Sequence, residues 1–346
     1  MSNIVYVGGY QKADAFCLHC LEYTGSAFRL HESYEVSNAS YICLSPDKGY
    51  LYAVIETDTF NGLPGGGVAA FGIEEGGKLR FINEAPTEGA HPCHLAVSGD
   101  GRSLCVANYT GGSTIFYDIL ADGSIGHKKT FINHNRYGAP SGVVASRQAN
   151  PHAHFIMPKK IGMVEVLCIC DLGLDMVLVL DDTSNELTRL TLPGGFGPRH
   201  IAFHPNLHTA YIVGELAQAV VAVDYTNTRA VKVSPAVPVS PDNNISCAAI
   251  RVSPDGRYLL VSNRGGGADS LSILELDDAG NVVRLSDVYM TRGRCPRDFD
   301  FTPKGDEIIV AYQDSDLIEV LSWDNGVLVP KAVEIALPKP TCVVFK

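Results

Sequence analysis

One short pattern recurs seven times along the chain, and it limits the possible folds more than any other feature of the sequence. Each copy opens with a proline or a small residue, continues with alternating apolar positions and, in six copies, reaches a proline or glycine that starts a turn. The copies are "ASYICLSP" from 39, "PCHLAVSG" from 92, "PHAHFIMP" from 151, "PRHIAFHP" from 198, "CAAIRVSP" from 247, "PRDFDFTP" from 296 and "PTCVVFK" from 340. A period near 50 residues indicates a repeat architecture, in which each unit forms the same small structure.

Each repeat unit continues with segments that are typical of β-strands. A polar turn follows the pattern, as in "SPDGRY" and "TPKGDE", and then a second apolar segment, as in "YLYAVIE" and "LLVSN". A third segment such as "SLSILEL" and a weaker fourth one complete the unit, and no helical periodicity persists. Four strands in each of seven units predict an all-β fold, a seven-bladed β-propeller in which residues 1–346 form a single domain.

The two ends of the sequence complement one another. The last copy of the pattern stops after one strand, whereas "NIVYVGGY", "FCLHCLEY" and "LHESYEV" at the other end supply three strands with no first strand before them. The C-terminal strand is therefore predicted to join the N-terminal blade. Such pairing closes the ring and removes an open sheet edge that would otherwise favour aggregation.

Composition and charge narrow the class of protein. The net charge of −11 has its acidic residues spread along the chain, which argues against nucleic acid or an anionic membrane as a partner. No apolar run is long enough for a transmembrane helix, and the first residues have no basic segment followed by an apolar one. We therefore expect a cytoplasmic protein whose ten cysteines are reduced thiols.

The repeat also predicts where a functional site lies. The first two strands of a blade are antiparallel, so the start of the first strand and the end of the second strand share one mouth of the central channel. The residue after the first position of each copy is, around the ring, Ser40, Cys93, His152, Arg199, Ala248, Arg297 and Thr341. Seventeen residues after the first position, five copies carry Glu56, Tyr109, Glu215, Arg264 and Gln313; the third copy has extra residues there, and Asp171 is its equivalent.

These positions vary between copies of one scaffold, and they collect chemically active side chains. His152, Arg199, Glu215, Arg264 and Arg297 are predicted to crowd one mouth of the channel. The arginines suit a carboxylate, a phosphate or a developing oxyanion, the histidine can take a proton from water, and the glutamate can orient an arginine or pass on a proton. Together they favour hydrolysis or formation of an ester in a small anionic substrate.

Simpler interpretations of the same residues remain open. His152 can bond the backbone of a neighbouring blade, Arg199 and Glu215 can form a structural ion pair, and Arg297 can pair with the adjacent Asp298. His152 and His154 share a strand face, but no third ligand with suitable spacing accompanies them, so no metal and no cofactor are expected.

The 24 residues from 127 to 150 make the longest predicted connection. It ends at the copy that carries His152, so it is expected to lie over the same mouth, as binding loops often do. Within it, Tyr137, Arg147 and Gln148 are candidate substrate contacts.

Several segments resemble the seven-bladed propeller lactonases, the family of bacterial 6-phosphogluconolactonases and the fungal 3-carboxy-cis,cis-muconate lactonising enzyme. The segments are "RQANPHAHF", "CDLGLD", "GPRHIAFHPN", "VGEL", "SPDGRYLLVSNRG" and "CPRDFDFTPKG", and the resemblance covers nearly the whole chain. It implies metal-independent chemistry in which His152, Arg199, Glu215 and Arg264 are the catalytic residues. Many members have a histidine in the fifth-blade pattern "IHVSPDG", where this chain has Arg251.

The resemblance implies hydrolysis of 6-phospho-D-glucono-1,5-lactone in the oxidative pentose phosphate route. Two other functions remain open at this point. One is lactone hydrolysis or lactonisation of another acid, such as a carboxymuconolactone or a different sugar lactone. The other is a non-catalytic propeller that binds a metabolite or a protein.

Overall fold

The computed structural model describes residues 3–10, 16–181, 184–225, 232–241 and 244–346. The described chain is almost entirely antiparallel β-structure, with three short 3₁₀ turns at Glu75–Gly77, His134–Tyr137 and Gln313–Ser315. No helix within these ranges is long and apolar enough to span a membrane.

The strands are numbered in chain order, and the sheets I to VII are named after the seven copies of the pattern. The chain opens with β1 (Asn3–Gly9), β2 (Phe16–Tyr23) and β3 (Phe28–Glu35). Sheet I consists of β4 (Ile42–Leu44), β5 (Tyr50–Ile55), β8 (Gly67–Ile73) and β9 (Leu79–Pro86), with the small hairpin β6 (Thr59–Phe60) and β7 (Leu63–Pro64) between β5 and β8. Sheet II consists of β10 (Pro92–Val97), β11 (Ser103–Asn108), β12 (Ser113–Ile119) and β13 (Ile125–Asn133). Sheet III consists of β14 (Ala153–Ile161), β15 (Val164–Asp171), β16 (Met176–Leu180) and β17 (Glu186–Thr191).

The remaining sheets repeat the same order of strands. Sheet IV has β18 (Pro198–Phe203), β19 (Thr209–Gly214) and β20 (Ala219–Asp224), with β21 (Lys232–Val233) and β22 (Val237–Pro238) both paired to β20. Sheet V has β23 (Ser246–Val252), β24 (Tyr258–Arg264), β25 (Ser270–Leu276) and β26 (Val282–Met290). Sheet VI has β27 (Pro296–Phe301), β28 (Glu307–Tyr312), β29 (Leu317–Asp324) and β30 (Val327–Ala336). In sheet VII, β31 (Pro340–Phe345) pairs with β1, which confirms the predicted closure by the C-terminal strand.

The chain forms two compact units, residues 1–195 with 344–346 and residues 196–343. In the first unit, apolar side chains fill the space between sheets I and II, among them Val54 and Val106, and between sheets II and III, among them Ala107 and Ile156. The second unit is built in the same way between sheets IV and V and between sheets V and VI. The apolar positions of the pattern thus form the core between facing sheets, and the single domain of residues 1–346 stays a prediction.

A β-bulge recurs at the second position of the pattern. In sheets II, IV and VI the pairing of the first two strands skips one residue, which is Cys93, Arg199 or Arg297 respectively. A bulge leaves its extra residue out of the ladder and re-aims its side chain. This backbone feature is the physical reason why the second position can differ between copies while the strands around it stay the same.

The residue before the first position of the pattern links the first strand to the end of the second strand. It has a left-handed backbone in five copies, namely at Asn38, His91, Gly197, Cys295 and Lys339, with φ between 36° and 61°. Its carbonyl accepts a hydrogen bond from the residue at the end of the second strand, at 2.8 Å for Glu215 on Gly197 and 3.0 Å for Gln313 on Cys295. The start of the first strand and the end of the second therefore meet, as the repeat predicted.

The structure corrects the predicted connection of residues 127–150. Its first seven residues belong to β13, the outermost strand of sheet II, and His134–Tyr137 form a 3₁₀ turn. The outer strand is mostly exposed, so it carries "GHKKT" in place of an apolar alternation. For that reason its sequence does not have the pattern of a buried strand.

Candidate active site

A buried carboxylate with two arginines on it is the central feature of the second unit. Arg199 Nε donates to Glu215 Oε2 at 2.9 Å, and Arg264 Nη2 lies 3.2 Å from the same oxygen. The Glu215 side chain is 1% exposed and that of Arg199 is 3% exposed, whereas 16% of the Arg264 side chain reaches solvent. Two guanidinium groups on one carboxylate leave an excess positive charge, which suits an anionic ligand.

Local backbone structure places these three side chains. Arg199 is the bulged residue of β18, Glu215 directly follows β19, and Arg264 ends β24 of the neighbouring sheet. Arg199 Nη1 also donates to the Ala248 carbonyl at 2.7 Å and contacts His200 Nε2 at 3.1 Å. Because a guanidinium has only donors, the His200 imidazole accepts this bond. Arg199 is thereby fixed by partners in sheets IV and V.

Arg297 is the bulged residue of β27, and its side chain is partly exposed. Burial raises the pKa of the Cys295 thiol, and the positive charges of Arg264 and Arg297 act in the opposite direction. The charges of Arg264 and Arg297 thus act on the same thiol. Arg264 of sheet V and Arg297 of sheet VI are therefore two partly exposed candidate cations.

The acidic neighbour of Arg297 pairs with a different arginine. Arg251 Nη2 donates to Asp298 Oδ1 at 3.0 Å, and Arg251 Nε donates to Asp300 Oδ1 at 3.4 Å. Burial raises the pKa of the Asp300 carboxyl, and Arg251 opposes that rise. Arg251, the residue that departs from the family pattern, is therefore held by two aspartates of sheet VI.

His152 lies in the first unit with its ring orientation fixed. Its imidazole stacks on the Tyr109 ring, with centroids 4.4 Å apart and planes at 13°, and its Nδ1 is 2.9 Å from the Tyr109 carbonyl oxygen. A carbonyl only accepts, so Nδ1 carries the hydrogen and Nε2 holds the lone pair in the neutral ring. The predicted bond from His152 to a neighbouring backbone is present, and it leaves the other nitrogen able to take a proton.

A buried aspartate fixes the backbone beneath His152. Asp171 Oδ1 accepts hydrogen bonds from the backbone N–H groups of His152 at 2.8 Å and Leu174 at 3.0 Å. Asp171 Oδ2 accepts a bond of 2.7 Å from His134 Nδ1, and both side chains are fully buried. Sequence reasoning noted Asp171 only as a repeat position and missed His134, which lies in the 3₁₀ turn after β13 of sheet II.

The three candidates from residues 127–150 have different environments. Arg147 donates from Nη2 to the Tyr109 hydroxyl at 3.1 Å, so it lies beside the ring that stacks on His152. Gln148 is fully buried, and its amide binds the Leu172 carbonyl and Asp175. Tyr137 packs in the core between sheets II and III. The structure thus gives Gln148 and Tyr137 anchoring roles, and Arg147 alone of the three stays in the proposed site.

The Nδ1 atoms of His152 and His154 have different partners. The Nδ1 atom of His154 is 3.9 Å from the Cys93 sulfur, whereas that of His152 faces the Tyr109 carbonyl. Within the described ranges, no group of three or more His, Cys, Asp or Glu side chains has an arrangement that fits a metal ion.

The chain belongs to the family of seven-bladed β-propeller lactonases, whose model matches residues 4–345. Membership confirms the predicted fold, in which the seven sheets are the four-stranded blades. It also makes the protein a carboxylic ester hydrolase that acts on lactones.

Relatives of known sequence or structure extend over the whole chain. The 6-phosphogluconolactonase of Bacillus subtilis is 29% identical over 357 residues, which cover 99% of this chain and 98% of that protein. A provisional 6-phosphogluconolactonase of Bacteroides fragilis has a similar structure, with a TM-score of 0.90, 28% identity and coverage of 100% and 98% of the two chains. The periplasmic gluconolactonase of Pseudomonas aeruginosa gives a TM-score of 0.89 with 26% identity, and coverage of 100% and 99%.

Proposed function

We propose that the protein hydrolyses 6-phospho-D-glucono-1,5-lactone to 6-phosphogluconate, as a cytoplasmic step of the pentose phosphate route. The observation that carries this proposal is the pair of arginines on Glu215, with Arg264 partly exposed. Such a positive group accepts a phosphorylated substrate. The Bacillus subtilis relative, which carries the name of this activity, supports the same choice.

His152 is the proposed general base. Its Nε2 takes a proton from water, and the resulting hydroxide attacks the lactone carbonyl carbon to give a tetrahedral oxyanion. The ring C–O bond then breaks, and the leaving ring oxygen receives the proton, so that the product is the open-chain acid. The bond from Nδ1 to the Tyr109 carbonyl holds the ring in the tautomer that this step needs.

The arginines have separate proposed roles. Arg264 and Arg297 are partly exposed, and we assign them to the phosphate and to the negative charge that develops on the lactone oxygen. Arg199 is nearly buried, so it acts through Glu215, which it holds against Arg264. Glu215 orients Arg264, and its negative charge reduces the repulsion between the guanidinium groups of Arg199 and Arg264.

Hydrolysis of an unphosphorylated sugar lactone is a second candidate. It is favoured by the likeness to the Pseudomonas aeruginosa periplasmic gluconolactonase. A neutral lactone does not need a cluster of arginines. We therefore propose the phosphorylated lactone as the main substrate.

The proposal is tested by following acid release from freshly prepared 6-phosphogluconolactone, with spontaneous opening subtracted. Gluconolactone and a carboxymuconolactone are run beside it, and Arg264→Ala beside the wild type. We expect the highest kcat/KM on the phosphorylated lactone and a large loss of it in the variant. If the wild type and Arg264→Ala have equal kcat/KM on gluconolactone, hydrolysis of an unphosphorylated sugar lactone is supported instead. Turnover of carboxymuconolactone alone would contradict both.

A further inference from the structure

Sheet I carries a polar group at the repeat positions that hold Arg199 and Glu215 in sheet IV. The equivalent residues are Ser40 and Glu56. The Ser40 hydroxyl donates to Glu56 Oε2, and the phenol of Tyr10, which follows β1, donates to the same oxygen at 2.7 Å. None of the steps proposed above uses these three residues.

A chain of hydrogen bonds places this group at the same end of sheets I to III as His152. The carbonyl of Thr57, next to Glu56, accepts from the His91 N–H at 2.9 Å, and the His91 carbonyl accepts from the Tyr109 N–H at 2.8 Å. The Tyr109 carbonyl in turn accepts from His152 Nδ1. Glu56 and His152 are thus linked through successive sheets of one compact unit.

The chemistry of the group favours hydroxyl ligands. Glu56 is partly exposed, and both of its hydroxyl partners converge on Oε2. Among the described residues none donates a hydrogen bond to Glu56 Oε1, which leaves an acceptor for an incoming O–H. A carboxylate repels phosphate and carboxylate groups, whereas it forms strong hydrogen bonds with neutral hydroxyls.

We propose that Glu56, Ser40 and Tyr10 form a subsite for the hydroxyl groups of a polyhydroxylated lactone. The proposal rests on the proposed function and deepens it, because it assigns the selection of sugar-derived lactones to residues of sheet I. A carboxylated lactone without hydroxyls gains nothing from Glu56.

The test compares glucono-1,5-lactone with δ-valerolactone, which has the same six-membered ring and no hydroxyl groups. In Glu56→Gln, kcat/KM on gluconolactone is expected to fall about tenfold or more, while on δ-valerolactone it stays within about twofold. Ser40→Ala is expected to show the same selectivity with a smaller loss. Glu74→Gln is the control, because it removes the same charge at the opposite end of sheet I, where Glu74 pairs with Arg80. Thermal unfolding of each variant establishes that it is folded.

An equal loss on both lactones, or no loss on either, would overturn the subsite. If the wild type hydrolyses no lactone at all, the proposed function fails, and a binding measurement still decides the subsite. Calorimetric titration of gluconate should then give weaker affinity for Glu56→Gln than for the wild type and Glu74→Gln. Equal affinity in the three proteins would overturn the proposal.

Discussion

The imidazole of His152 lies flat against the ring of Tyr109 and bonds to the carbonyl oxygen of the same residue. One residue therefore fixes both the plane of the imidazole and the nitrogen that carries its hydrogen. Neither contact needs the tyrosine hydroxyl, which instead accepts a bond from Arg147. The orientation of the proposed base is thus built from backbone and ring stacking.

Replacing His152 by alanine should lower kcat by about 10²- to 10⁴-fold, the usual contribution of a general base. KM should change less, because the arginines proposed to bind the anion remain. Acid release from 6-phosphogluconolactone, corrected for spontaneous opening, measures both constants. Tyr109→Phe serves as the matched control, since it keeps the ring and the carbonyl, and its kcat should stay within a few-fold of wild type. A His152→Ala enzyme with near-normal kcat would remove His152 from the mechanism.

Replacing Glu215 by glutamine should destabilise the protein, since two arginines lose the charge between them. Loss of one partner from a buried ion pair costs about 3–5 kcal/mol, and the amide keeps some hydrogen bonding, so we expect about 2–4 kcal/mol. Glu275→Gln breaks an exposed pair with Arg284 in the same unit and should cost less than about 1 kcal/mol. Urea unfolding of the three proteins gives the comparison. Similar midpoints for both variants would show that the Glu215 group does not stabilise the fold.

Asp171 should tolerate asparagine better than alanine. The asparagine side-chain oxygen can still accept from the backbone N–H groups of His152 and Leu174, whereas alanine leaves two N–H groups without their acceptor. Each unsatisfied buried group costs about 1–3 kcal/mol, so Asp171→Ala should be the less stable variant by at least about 2 kcal/mol. It should also lose more kcat, because the backbone under His152 is released. Equal stability and equal kcat in the two variants would contradict this positioning role.

His19 should make stability depend on pH. Burial lowers the pKa of this β2 histidine from 6.5 to about 4, and its Nδ1 bonds to Ser33 Oγ at 2.8 Å. Between these two values the unfolded chain takes up a proton that the folded protein does not. Stability is therefore fully present above pH 6.5 and is lost as the pH falls to about 4.

The expected loss over this pH window is up to about 3 kcal/mol, at 1.36 kcal/mol for each pKa unit. His19→Gln keeps a partner for Ser33 and has no titrating ring, so its unfolding midpoint in urea should fall less between pH 6.5 and pH 4. Parallel pH profiles for the variant and the wild type would show that His19 does not contribute to the loss.

The repeat allowed the strands and the group of Arg199, Glu215 and Arg264 to be predicted together. Arg199 and Glu215 occupy the second position and the end of the second strand, and the bulge with its left-handed neighbour brings those positions into contact. Arg264 follows from the same rule in the next sheet. Because the blades repeat, the spacing of residues in the sequence predicts some of the side-chain contacts.

Side-chain contacts that do not follow the repeat could not be predicted from the sequence. His134 follows an exposed strand with few apolar residues and still reaches Asp171 of another sheet, and no spacing rule relates them. Tyr137 and Gln148 lie in a polar segment that gave no sign of burial, yet both are buried against neighbouring sheets. The second bond of Arg199, to the Ala248 carbonyl, involves backbone that carries no side-chain signal.

Sheet VII takes strands from both ends of the sequence, with β31 beside β1. During synthesis β1 emerges before the six intervening sheets are made, so one edge of the N-terminal hairpins has no partner until β31 follows. An unpaired edge of this kind is a template for pairing with another chain. Strands β1 to β3 therefore wait for their last partner until the six other sheets have been made, and their open edge is exposed to other chains during that time.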